Sequence, residues 1–346
     1  MSQTEPNPSN TLRSRKLTRL FVLKWSLFLI AVVFVVHRGN ELWNSDDLNS
    51  VTLHFGWLAA AAGVYIVGWL PSVWFWNRTL AAVGNNVRMV DTASAYYCGH
   101  LGKYIPGKLL VLIIRASMMK RCGCRAGLVL VTAAYETLAM MAVGLAVGIA
   151  LSPILLTDSS WDSLPAWISW LQDHSWIAPL AVVGLGVVSL PTISRLFTGL
   201  AMRFAPRDLE DPESNIDIHI DTRLLTSGVI AFVLAWSCHG LSLGLTLRGI
   251  SATPLDFSDW PVWTGAISLA VAVGFFVIFA PGGLGPREFI LIEVLSTQPS
   301  ITGQQAVVAT GLLRLVWLLA EIVSAGALYY LVRPQNLKPV TENSHD

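Results

Sequence analysis

Charge is scarce in this chain. Asp, Glu, Lys and Arg make up only 13% of its 346 residues, where soluble domains average about 25%. Together with a hydrophobic content of 53%, that scarcity excludes an ordinary soluble surface and implies a membrane domain. No uninterrupted polar stretch is long enough for a second folded unit. One membrane domain is therefore expected over 17–333, between a cytoplasmic tail at 1–16 and a polar tail at 334–346.

Cysteine is scarce too. Cys98, Cys122, Cys124 and Cys238 have neither the number of a disulfide framework nor the spacing of zinc ligands, since CGC lacks the two-residue gap and a second ligand pair. Also missing are G-x-x-x-x-G-K-[ST], H-E-x-x-H and G-x-S-x-G, which leaves ATPase, zincin and hydrolase readings without support. No enzymatic activity, cofactor, metal or nucleic-acid partner is expected.

What the chain does have is a series of apolar runs near the 20 residues that a bilayer core requires. They lie at 17–36, 55–76, 126–151, 176–191, 224–247, 261–280 and 305–332. The first resembles a signal peptide, but it is long and continues as HRGNELW without a small-residue cleavage site. An uncleaved span is the better reading. Lys and Arg counts in the short loops then set the orientation. With a cytoplasmic N-terminus, inside segments 1–24, 77–125 and 193–223 carry 17 basic residues, and outside segments 37–54, 152–175 and 248–260 carry only Arg38 and Arg248. Trp57, Trp74, Trp76, Trp161, Trp167, Trp170, Trp176, Trp260 and Trp263 cluster near the span ends, where indole rings favour the headgroup layer. The expected fold is an all-α polytopic bundle of seven to eight transmembrane helices in the cytoplasmic (inner) membrane.

Two stretches fit no simple span. Residues 89–120 are apolar in patches but carry Gly99, Gly102, Pro106 and Gly107 among Lys103, Tyr104, Lys108 and Arg115. A crossing there would exchange the following loops and break the charge asymmetry. The stretch is therefore read as re-entrant from the cytoplasmic side. The second, PGGLGPREFILIEVL at 281–295, contains Pro281, Gly282, Gly283 and Gly285 beside Arg287, Glu288 and Glu293. It reads as re-entrant or broken: a return to the cytoplasm leaves the C-terminal tail outside, and a crossing leaves it inside. Irregular backbone at membrane depth survives only where protein or a wet cavity satisfies its N–H and C=O groups. Both stretches thus predict a cavity.

The charges placed there suggest what the cavity takes. Lys108 and Arg115, two turns apart, share a helix face after Pro106, and with the free N–H groups of that helix start they make a site for an anion such as a lipid phosphate. The bland alternative is snorkelling at the inner interface. Glu136 lies mid-span, and Arg314 and Glu321 share one face of the last span. Ionisable groups at that depth mark a functional interior or a buried ion pair that fixes packing. His239 reads as a hydrogen-bonded packing residue. GLAVG at 144–148 and GLSLG at 240–244 permit close helix approach. NIDIHID, with Asp217, His219 and Asp221, reads as a solvated acidic turn in preference to a metal site.

GKYIPGK with Arg115 downstream, Glu136 in the next span, PGGLGPRE, and a last helix carrying Arg314 occur in an order that resembles the transmembrane region of lysylphosphatidylglycerol synthases, a flippase-like integral membrane family. The pattern departs at Pro286, where a small aliphatic residue is expected. The resemblance implies movement of a lipid such as an aminoacyl phospholipid, a polyprenyl-linked glycolipid or a hopanoid, by a stand-alone module without the synthase domain. The physics agrees, since a cavity lined by Lys103, Lys108, Arg115 and Arg287 lowers the cost of carrying an anionic head group through hydrocarbon. The expected site is thus Lys103, Tyr104, Lys108, Arg115, Arg287 and Glu288 for the head group, with Glu136, Arg314 and Glu321 for pairing or proton coupling.

Two other functions compete. One is a polyprenol-phosphate-dependent glycosyltransferase using Asp46 and Asp47 of the first outside loop, although the short outside loops leave little room for an acceptor. The other is a non-catalytic membrane partner of a separate glycosyltransferase or lipid synthase. Nothing in the sequence sets the oligomeric state.

Overall fold

A computed structural model describes residue 37, residues 53–104, 109–157, 170, 173–204, 221–251, 255–276 and 285–332. Within them the secondary structure consists of α-helices and short 3₁₀ turns, in the order α1 (Phe55–Gly68), α2 (Leu70–Ala82), α3 (Met89–His100), α4 (Leu109–Lys120), α5 (Ala126–Thr157), α6 (Ile177–Phe204), α7 (Thr222–Arg248), α8 (Trp260–Phe276), α9 (Pro286–Ser296) and α10 (Gly303–Leu331). The all-α bundle expected from the apolar runs is what forms. Among the described residues, five helices or joined helix pairs are long and apolar enough to cross a membrane: Phe55–Ala82, Ala126–Leu155, Thr222–Arg248, Phe257–Phe276 and Gly303–Leu331. Ile177–Gly186 and Pro191–Leu200 make a sixth if their 43° bend is counted within one span. Pro191, inside α6, accounts for the bend by removing a backbone donor. The expected first span at 17–36 lies outside the described residues.

Contacts near the helix ends define two faces of the bundle. On the first, the His54 N–H donates to the Gly249 carbonyl at 2.8 Å, Gln298 Nε2 donates to Leu155 O at 3.1 Å, and Gln305 Nε2 to Ser251 Oγ at 3.5 Å. On the second, Val73, Trp76 and Leu80 of α2, Cys122 and Cys124 after α4, Val129 of α5 and Ala325 of α10 share one core cluster. Ser94 Oγ donates to Leu328 O there at 3.4 Å. Thus α1–α2 and α10 run from the first face to the second, whereas α5 and α7 run the other way.

Helices α3 and α4 form an antiparallel hairpin that enters and leaves at the second face. Each has 12 residues, about 18 Å of helix and too short to cross. The glycines let the arms touch: a Cβ on Gly102 would stand 2.8 Å from the Val111 nitrogen, and one on Gly99 2.7 Å from Arg115 Cγ. Gly84 and Gly123, with φ of 81° and 79°, turn the chain into and out of the hairpin. The re-entrant reading of 89–120 therefore matches the backbone. Beside that exit, burial pushes the Cys124 thiol up to about 11, so it stays protonated near neutral pH and is a packing group.

The second hairpin differs from expectation. The sequence reads 261–280 as a full crossing and 281–295 as a separate irregular piece. In the structure α8 and α9 are the two arms of one hairpin. Helix α8 descends from the first face alongside α5, with Gly265 against Leu151 and Leu155 and Leu269 against Gly148, and Phe275 reaches the level of Met140 and Met141, near the middle of α5. Arg287 at the start of α9 then packs on Gly274. Gln298 just past its end is back beside Leu155 at the first face. The apolar composition of 261–280 suits a span, but α9, starting at Gly285–Pro286, runs back toward the first face. Gly285 has φ 93°, and its N–H donates to Glu288 Oε2 at 2.8 Å. Of the two earlier alternatives for the end of the chain, α10 thus finishes on the face where the α3–α4 hairpin opens.

Polar contacts and small residues hold these helices together, because lipid gives apolar side chains little reason to leave it. Gly240 and Gly244 of α7 press on Thr264 and Trp263 of α8, so that G-x-x-x-G spacing serves packing within the chain. Ser242 Oγ donates to Ala61 O at 2.8 Å and accepts from Trp317 Nε1 at 3.0 Å. Trp236 Nε1 donates to Met140 O at 2.9 Å. Such bonds contribute roughly 0.6–2 kcal/mol each. Two tryptophans assigned above to the headgroup layer, Trp76 and Trp263, are instead fully buried. Trp76 Nε1 finds Thr132 Oγ1 at 3.2 Å, while Trp57, Trp170, Trp176 and Trp260 are exposed. Trp161 and Trp167 lie outside the described residues.

Candidate functional site

Because the two hairpins enter from opposite faces, their tips converge inside the bundle, and most of the mid-depth charge is found there. Lys103, at the tip of the first hairpin, donates from Nζ to Glu321 Oε1 on α10. Tyr65 of α1 donates to the same oxygen and lies 3.4 Å from the lysine nitrogen. Tyr104 places its ring 5.2 Å from Lys103 Nζ. Glu321 is buried, and its second oxygen has no hydrogen-bond partner.

On the next arm, Arg115 of α4 and Glu136 of α5 are each 1% exposed. Arg115 Nη1 meets Glu136 Oε2 at 2.7 Å, and Tyr96 OH donates to Glu136 Oε1 at 2.7 Å. The guanidinium also lies over the rings of Tyr96, at 3.9 Å, and Trp76, at 5.0 Å. Desolvating such a pair costs several kcal/mol per ion, and the hydrogen bonds and ring faces offset that cost.

At the second tip, Glu288 both caps α9 and pairs with Arg314 of α10. Arg314 and Glu321 do share a face of α10, as their spacing implies, but each reaches a different hairpin. Neighbouring Arg287 is buried and lies 4.6 Å from the Trp317 ring centroid. Among the described residues it has no carboxylate within ion-pair distance, and its Nε has no hydrogen-bond partner.

A cavity of about 360 Å³ joins these groups. Its inner wall carries Lys103, Arg115, Arg287 and Glu136 beside Tyr65, Trp69, Tyr96, His100 and Trp317. Its outer wall is apolar, and two of those residues, Leu109 and Leu138, are 65% and 54% exposed. The outer wall therefore meets the lateral surface of the bundle, where a membrane protein faces acyl chains, while the polar end lies at mid-depth.

Lys103, Tyr104, Arg115, Glu136, Gly285, Arg287, Glu288, Arg314 and Glu321 thus gather around the two tips, with Gly102 packing the first hairpin. Pro106, Gly107, Lys108, Pro281, Gly282 and Gly283 lie outside the described residues, as do Asp46, Asp47, Asp217 and His219. Among the described residues no cluster of His, Cys, Asp and Glu could hold a metal ion. The aromatic wall of Tyr65, Trp69, Tyr96 and Trp317, with His100, is the part that motif reading missed. His239 is buried with neither ring nitrogen hydrogen-bonded, unlike the hydrogen-bonded histidine expected, and it packs against Trp69 at 4.5 Å and Tyr65 at 5.3 Å. One signal for the wall existed: Tyr65, Trp69 and Trp317 sit in mid-span, away from the span ends where such rings are usual.

The family described as Lysylphosphatidylglycerol synthase TM region matches residues 19–324, most of the chain. No curated protein matches it.

Proposed function

The chain belongs to the lysylphosphatidylglycerol synthase transmembrane-region family, and from that premise we propose that this multi-pass membrane protein moves an anionic lipid between leaflets. The observation that carries the reading is the cavity: charged and aromatic at its mid-depth end, apolar where it meets the lateral surface. A lipid needs that combination. Its head group must leave water for a site whose cations replace hydration, while its chains stay in hydrocarbon. Lys103, Arg115 and Arg287 supply the cationic wall, with Lys108 and Tyr104 beside the same tip in sequence. Glu321 and Glu136 hold two of these cations, Lys103 and Arg115, in place, and Glu288 pairs with Arg314 beside them. The loop charges favour a cytoplasmic second face, with the N-terminus and the end of α10 on that side of the cytoplasmic membrane.

The test is display of the lipid in the outer leaflet of cells, or of vesicles holding the purified protein. Replacing Lys103 or Arg287 with Ala is expected to reduce transfer at least about tenfold at unchanged protein level. Normal transfer in both variants would overturn the reading. A separately encoded glycosyltransferase or synthase as partner is compatible with it, and transfer by the purified chain alone separates the module's own activity from that of such a partner.

A further inference from the structure

We infer that the lipid is a phosphodiester monoanion whose head group is uncharged and rich in hydroxyls, a class that excludes aminoacylated phospholipids; the inference rests on the translocation reading above. It begins with a count of charge at the junction of the tips. Lys103 is paired with Glu321, Arg115 with Glu136 and Arg314 with Glu288. Arg287 is left over among the described residues, buried beside Trp317 and lining the cavity. One cation unmatched among the described residues, in a low-dielectric site, calls for one negative charge. A single phosphodiester supplies it, and a guanidinium can grip two of its oxygens.

Hydrogen-bonding capacity then restricts the rest of the head group. Trp69 Nε1, Arg115 Nε and Arg287 Nε are buried, have no partner and belong to residues lining the cavity. All three are obligate donors. His100 Nδ1, also lining the cavity, lies 3.9 Å from Glu321 Oε1 without a hydrogen bond and donates or accepts according to its tautomer. The head group must therefore bring acceptors. A hydroxyl accepts as well as donates, whereas an ammonium only donates. An aminoacyl ammonium would moreover enter a wall whose cations, Lys103, Arg115 and Arg287, already outnumber the carboxylates paired with them, Glu321 and Glu136. The tyrosine and tryptophan rings offer faces to sugar or glycerol C–H groups without asking for charge.

The same chemistry occurs in phosphatidylglycerol and in a polyprenyl monophosphoryl hexose, so both belong in the test. The purified full-length chain is titrated with each, and separately with lysyl-phosphatidylglycerol, and bound lipid is counted by native mass spectrometry. Both uncharged-head lipids are expected to bind at least about tenfold more tightly than the lysyl lipid, and the tighter of the two identifies the source. Arg287→Gln is expected to abolish the preference and Arg287→Lys to retain most of it. If Arg287→Gln does not fold, the wild-type ratio alone decides.

Equal or tighter binding of lysyl-phosphatidylglycerol overturns the inference. If the lysyl lipid is also transferred in the vesicle assay, the translocation reading survives that loss. If the uncharged-head lipids bind preferentially but none is transferred, the translocation reading falls and the binding class stands.

Discussion

Arg115 and Glu136 illustrate what one residue pair settles here. Removing only the carboxylate leaves a buried guanidinium with no counter-charge. Glu136→Leu is therefore expected to cost about 3–5 kcal/mol of stability, measured as a fall in the unfolding midpoint in detergent. The double variant Arg115→Met with Glu136→Leu removes both charges and is expected to regain most of that loss, because an apolar pair of similar volume needs no solvation. It should remain unable to transfer lipid. Wild-type transfer by the double variant would reduce the pair to packing. Both residues were legible in the sequence as charges in apolar surroundings, but their partnership was not, since it depends on α4 lying antiparallel to α3 and against α5. Tyr65 and Tyr96 were harder still to see, because an aromatic in an apolar run looks the same whether its hydroxyl ends in a cavity or a core.

At the level of elements, glycine and proline marked the hairpin of α3 and α4, and charge counting led to the expectation that it enters from the cytoplasmic side. The same signs at 281–286 pointed to a second irregular element but not to α8 as its other arm. Helix α8 is as apolar as a span, and composition does not record how far a helix penetrates before the chain turns back. Helix α9 starts from Gly285, whose φ of 93° lies where side chains are strained. Gly285→Ala is expected to destabilise the protein by about 1–3 kcal/mol and to disturb the Glu288–Arg314 contact that follows it. Gly102→Leu, where even a Cβ would meet the Val111 nitrogen at 2.8 Å, should spread the arms of the first hairpin and reduce transfer more than stability. Equal transfer in wild type and Gly102→Leu would mean that close apposition of the arms is dispensable.

Across the whole molecule, one pattern occurs twice with opposite sense. A span, a hairpin and a second span run through α1–α2, α3–α4 and α5, and again through α7, α8–α9 and α10, with α6 between. In secondary transporters, inverted repeats place a site at mid-depth that opens alternately to either face. The charges follow the inversion with reversed sign: in the first unit an arginine on the hairpin meets a glutamate on the next span, and in the second Glu288 on the hairpin meets Arg314 on the next span. If each hairpin moves against its neighbouring spans during transfer, pinning one hairpin should stop the cycle. Cys98 on α3 lies 3.6 Å from the Ala325 carbonyl on α10, which makes Ala325→Cys a suitable cross-linking partner once Cys122, Cys124 and Cys238 are replaced with alanine. Oxidation is expected to cut lipid transfer at least about tenfold, and reduction to restore it. Undiminished transfer after complete cross-linking would show that α3 and α10 travel together, and would assign the movement to the α8–α9 hairpin alone.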